Sequence, residues 1–195
     1  LQTGQLASLT TQQAVALTTT QLQALSTAQL RALTAAQISA FNSTQVGGLT
    51  TAQMAALSTA QVAAIEPRDI GAIGTAQLAQ IGSAQLAALT TAQVAALQSQ
   101  QVPALATQAL AGLGTAQAQA LSAAQVQRLT TDQVRALSTA NIAALGTQQV
   151  NGLGSAQVAA MTTAQLRALT TDQIIALNSA QLSALSELQV AAFGS

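Results

Sequence analysis

Cysteine, histidine, lysine, tryptophan and tyrosine are all missing from this 195-residue chain. Without cysteine there is neither a disulfide framework nor a thiol nucleophile. Without histidine, lysine or tyrosine, the 14 serines and many threonines lack a neighbouring general base of the usual kind. Aromatic residues are limited to Phe41 and Phe193, so no aromatic platform exists for stacking bases or sugars. Five arginines balance five acids, giving a formal net charge of +0. Such a balance offers no electrostatic footprint for nucleic acid or an anionic membrane. No apolar run approaches the roughly 18 residues of a spanning helix. Disorder normally goes with low hydrophobicity and high net charge; half of this chain is hydrophobic and only 5% is charged.

What remains is mostly Ala, Leu, Gln and Thr, and it repeats. From Gln2 to Phe193 the chain divides into 24 octads without insertion or deletion. Position five is apolar in all 24, and position eight is apolar in all 24 and Leu in 18. Position four is Gln in 21, the exceptions being Asp69, Ala109 and Asn141. Position two is Thr or Ser in 20, and position seven is Ala in 18. Position six is mixed and carries Arg31, Arg135 and Arg167, as expected of a water-facing site. The domain organisation expected is one continuous array over residues 1–195, cut from a longer array.

Apolar residues three apart indicate helix and not strand. Position one is usually Thr, Ser, Gly or Asn, the preferred N-cap set. The Gln three residues later completes a capping box, and the apolar residues at the preceding position eight and at position five take the staple positions. Pro67 falls on the first helical residue, where proline is tolerated. A continuous helix fails on geometry: at about 100° per residue, each octad turns the apolar pair about 80° beyond two turns. The helix must break in every octad. Gly74, Gly82, Gly114, Gly146 and Gly154, with Asn42 and Asn178, are expected to close the preceding helix in a left-handed conformation. The fold class is therefore all-α, a solenoid of about 24 very short helices, one per octad, stabilised by stacking. Ser at position one occurs only in even-numbered octads (Ser26, Ser58, Ser122, Ser138, Ser186), which suggests two helices per 16-residue coil. About 12 such coils would make an object about 110–120 Å long.

A capping box accepts Glu as readily as Gln, yet position four never holds Glu. The side chains are expected to lie against their own copies in adjacent coils, where a Glu column would repel itself and Gln can both donate and accept.

The candidate chemistry is sparse. Glu66 and Asp69 stand in the most deviant octad, Glu66-Pro67-Arg68-Asp69-Ile70-Gly71-Ala72-Ile73, and are expected to be N-cap and capping-box partner rather than a hydrolytic pair. Asp132 and Asp172 favour helix N-termini, Asp132 and Arg135 make a surface pair, and Glu187 is the remaining acid. No loop offers the oxygens that calcium needs. Gly47-Gly48 is read as a close approach of backbones. Pro103 should remove a helical hydrogen bond, and Arg128 occupies the normally small position seven. No catalytic, cofactor-binding or metal-ligating residue and no cofactor is assigned, and the chain is not expected to be an enzyme.

The unit Leu129-Thr130-Thr131-Asp132-Gln133-Val134-Arg135-Ala136-Leu137 resembles short tandem repeats in long secreted or surface proteins of Gram-negative bacteria, and the resemblance covers the whole chain. It implies an extracellular, adhesin-like or filament-forming structural protein, and carries no functional residues across. The expected function is thus a non-catalytic spacer, stalk or filament element at the cell surface. Its partners would be neighbouring repeats and other copies of itself, without nucleic acid or membrane insertion. The alternative is a binding module for a protein, a polysaccharide or, through rows of Thr, ice.

Overall fold

The structure, a computed structural model, describes residues 2–194. Twenty-two α-helices of four to six residues and two 3₁₀ helices, Val102–Ala104 and Ala109–Gly112, account for one helix in each octad. A last 3₁₀ turn, Ala192–Gly194, follows the final helix. There is no strand among the described residues.

Each helix starts as its sequence dictates. In octad 12 (Thr90 to Leu97) the Gln93 N–H donates to Thr90 Oγ1 at 3.1 Å, and the Thr90 N–H donates to Gln93 Oε1 at 2.7 Å. The same reciprocal pair closes where Thr, Ser or Asn leads and Gln follows, as at Ser58 and Asn178. Where Gly leads, the Gln return bond alone remains, 3.0 Å at Gly82. The helix stops because position eight turns extended: Leu97 has φ −57° and ψ 132°. The next N-cap is extended too, and two consecutive extended residues carry the chain round the corner.

The corner therefore needs no left-handed residue. No described residue has positive φ, and Gly74, at φ −70° and ψ 154°, is an ordinary extended N-cap. The expectation that glycine and asparagine close the previous helix is corrected: they cap the following one. The physical reason is that the position-eight side chain must reach the core, and an extended residue points it there without the αL inversion.

The stacking period also departs from the expected 16 residues. Apart from the final helix and its 3₁₀ extension, every well-packed pair of helices lies three octads apart, as with the helices of octads 4 and 7 or 16 and 19. Hydrogen bonds run between octads four apart, 28 to 31 residues back along the chain. One coil thus takes between three and four octads, so the 24 octads make about six to eight coils. At about 9–10 Å per layer the length is about 55–80 Å, roughly half the length expected from two-helix coils. Two six-residue helices span too short a perimeter to enclose the side chains of positions five and eight; three or four enclose them.

Those two positions form one continuous core along the axis, from Leu6 to Leu177, with Leu30, Met54, Val94, Ile142 and Leu166 wholly shielded. Position seven packs on position two of the octad three before. A Cβ on Gly48 would come within 2.7 Å of Thr19 Cγ2, and one on Gly152 within 3.3 Å of Ala123. A Cβ on Gly112 would overlap the Ser83 carbonyl. Small residues hold that column because the helices approach closely, as the sequence predicts. Gly47 confirms the close approach expected of the Gly-Gly pair, its would-be Cβ lying 2.7 Å from the Ala72 carbonyl oxygen.

Candidate functional site

The most repeated arrangement of polar groups is built on position four. Gln93 is 1% exposed. Its Oε1 accepts the Thr90 N–H, and its Nε2 donates to the carbonyls of Val62, Ala63 and Ile65 at 3.0, 3.2 and 2.6 Å. One side chain therefore joins the start of its own helix to the end of the helix four octads earlier. Gln125, Gln133, Gln165, Gln173 and Gln181 repeat the pattern. Burial tracks the joint: Gln5, Gln13 and Gln21, with no octad four earlier, are exposed, whereas Gln37 is buried. The expected ladder of Gln against Gln is thus corrected. The side chains answer main-chain carbonyls, not one another. The absence of Glu has the same explanation in sharper form, since a carboxylate has no N–H for those carbonyls.

The exceptions show what the joint requires. Asn141 is one methylene shorter and its Nδ2 reaches a single carbonyl, that of Leu113, at 2.9 Å. Ala109 makes no joint; with Ala106 at position one there is no cap either, and the octad tightens into the 3₁₀ helix Ala109–Gly112. Pro103 has the effect its chemistry predicts: octad 13 forms only the 3₁₀ helix Val102–Ala104, closed by i−3 bonds such as Ala104 N–H to Gln101 O. Arg128 at position seven is exposed, in the octad whose neighbour three octads back is this irregular octad 13.

Glu66 and Asp69 do not behave as a cap. Glu66 accepts no side-chain cap bond, and the capping box is not formed. Both acids turn instead to an earlier coil. The Ser39 hydroxyl donates to Glu66 Oε1 at 2.9 Å, and the Ser43 hydroxyl donates to Asp69 Oδ1 at 2.5 Å. Asp69 is 2% exposed and its Oδ2 has no hydrogen-bond donor. Arg68 Nε stands 3.7 Å from Oδ2, the one ion pair among the described residues. A cap was expected because spacing along the chain favours it. Glu66 meets octad n−4 through Ser39 and Asp69 meets octad n−3 through Ser43, and these tertiary partners prevail. Ser39 and Ser43 carry no sequence signal of their own; they are found only once the stacking period is known.

The other acids stay at the surface. Asp132 and Asp172 lie in first helical turns, as does Glu187. Asp132 and Arg135 share an exposed helix face without closing to an ion pair. Among the described residues no three acids, histidines or cysteines gather in one place. Two shallow grooves run between stacked helices, one lined by Arg31, Ala56, Ser58 and Gly82, the other by Ala123, Thr147, Asn151 and Ala176. Neither contains an acid or a base besides Arg31. Position-two threonines such as Thr51, Thr75, Thr147 and Thr171 are exposed. Among the described residues no helix is long and apolar enough to cross a membrane.

No curated protein matches the chain. A family model for the ALTTAQ repeat, however, matches it five times, at residues 24–59, 62–99, 94–131, 129–163 and 158–195. These matches span most of the array whose Leu-Thr-Thr-Ala-Gln corners and Gln joints have just been described, and the chain belongs to the ALTTAQ repeat family.

Proposed function

We propose that this chain is a non-catalytic spacer or stalk, a stiff segment of an extracellular or cell-surface protein whose length is set by the number of octads. The observation that carries this reading is the Gln joint. Each interior octad with Gln at position four offers the same donors to the coil before it and the same carbonyls to the coil after it, so these octads are interchangeable and the stack extends by repetition. A chain without cysteine and almost without charge suits exposure outside the cell, where such a segment has no redox chemistry to lose. Copies laid end to end would continue the same bonding and form a filament.

The test is dimensional. Removing one, two or three whole octads from the interior should reduce the maximum dimension, measured by small-angle scattering, by about 2.5–3 Å per octad, from the helix packing distance shared over three to four octads. A length that fails to follow octad number overturns the spacer reading. So does the loss of a specific partner on removing one particular octad, which would make the array a binding module.

A further inference from the structure

Position four of octad 9 leaves a buried oxygen without a donor. In the interior of the array this position ends in an amide N–H aimed at the corner carbonyls four octads earlier. The amide at position 141, equal in length to an Asp side chain, donates to the carbonyl 28 residues back, Leu113, at 2.9 Å. For Asp69 the carbonyl in that register, 28 residues back, belongs to Phe41, and a carboxylate has no N–H to offer it. Asp69 Oδ1 is taken by the Ser43 hydroxyl; Oδ2 is shielded from solvent and accepts nothing. A buried carboxylate oxygen left without a donor is costly unless a cation binds it directly. Arg68 does not supply it. Its Nε is 3.7 Å from Oδ2, beyond hydrogen-bonding distance, and its side chain is 76% exposed. A second acid of octad 9 also turns to an earlier coil: Glu66, held by Ser39, two residues before Phe41.

We propose that this corner binds a divalent cation of the calcium class, held by the Asp69 and Glu66 carboxylates with the Ser39 and Ser43 hydroxyls and the Phe41 carbonyl as neutral oxygens. The donor set is all oxygen with two acids, which suits calcium; completing its usual six to eight ligands takes one or more waters. Zinc and copper, which favour imidazole and thiolate, find neither here. The ion would replace the Gln joint in octad 9, tying it to octads 5 and 6 where Gln93 ties octad 12 to octad 8.

The test is thermal unfolding of the full chain in calcium and in a calcium chelator, for the wild type, Asp69→Asn and Glu66→Gln. Calcium at about a hundredfold over its Kd should raise the wild-type Tm by about 5–10 °C. Asp69→Asn should melt above the wild type in chelator, since its amide makes the bond that Asn141 makes, and should not respond to calcium. Glu66→Gln should weaken calcium binding at least tenfold by titration calorimetry. An identical wild-type Tm in calcium and in chelator overturns the proposal, a bridging water then sufficing between Asp69 and Phe41. An equal calcium response in Asp69→Asn also overturns it, because the ion would then sit elsewhere.

Discussion

At the scale of single residues, Gln at position four does more than any other side chain. It satisfies one orphan N–H at a helix start and two or three orphan carbonyls at another helix end, groups that a chain of 24 very short helices produces in abundance. Replacing Gln93 by Glu leaves the Val62, Ala63 and Ile65 carbonyls facing a buried carboxylate. The expected cost is about 3–5 kcal/mol, read from chemical denaturation. Glycines divide into two kinds by what surrounds them. Gly112→Ala drives a methyl into the Ser83 backbone and should cost about 1–3 kcal/mol. Gly82 has nothing within 4 Å of a would-be Cβ and an extended backbone at an N-cap. Gly82→Ser should therefore gain a few tenths of a kcal/mol, the difference between the two caps. Thermal melts of both variants beside the wild type check the contrast in sign.

At the scale of the element, a helix of six residues has no stability of its own in water. What makes it form is the cap at one end, the extended corner at the other and a neighbour three octads away. Octad 14 shows the consequence of losing both cap and joint, and octad 13 that of a proline inside the helix, for both are 3₁₀. Octad 14 offers a direct repair. The double variant Ala106→Thr, Ala109→Gln restores the cap and places an amide opposite the carbonyls of octad 10. It should convert the Ala109–Gly112 turn to α-helix and stabilise the chain by about 1–3 kcal/mol. A rise in the helical circular-dichroism signal together with a higher Tm would check it; a higher Tm without added helix would mean that only packing had changed.

At the scale of the molecule, every tertiary bond obeys one rule, octad n to octads n−3 and n−4. The array should tolerate any deletion that keeps the rule and fail with any that breaks it. Removing residues 138–145, a whole octad, keeps every Gln in register. Removing only residues 142–145 brings two caps within four residues of each other and slides the later joints off their carbonyls. The first variant should retain its helicity and melt within a few degrees of the wild type, about the effect of losing one packed unit of many. The second should lose helical signal over several octads. Circular dichroism and Tm on the pair of variants distinguish the outcomes.

The sequence alone determined the octad, the helix in each octad, its cap, its apolar core positions and the small residue at position seven. All of these are local: a capping box closes within four residues, and an apolar pair three apart shares a face whatever the helix later meets. The number of octads in a coil was not legible, because it depends on the angle at each corner, and several backbone solutions turn a Leu-Thr corner. The even-octad placement of Ser26 or Ser138 was a misleading guide for this reason; Ser and Thr cap equally well on any side. The partner of the Gln amide could not be named either, since it lies 28 to 31 residues away, a distance that only the coil period fixes. The same limit hid the corner where Ser39 and Ser43 meet Glu66 and Asp69. Two acids three residues apart looked like a local cap until the stacking of octad 9 on octads 5 and 6 turned both away from their own helix, Glu66 toward Ser39 and Asp69 toward Ser43.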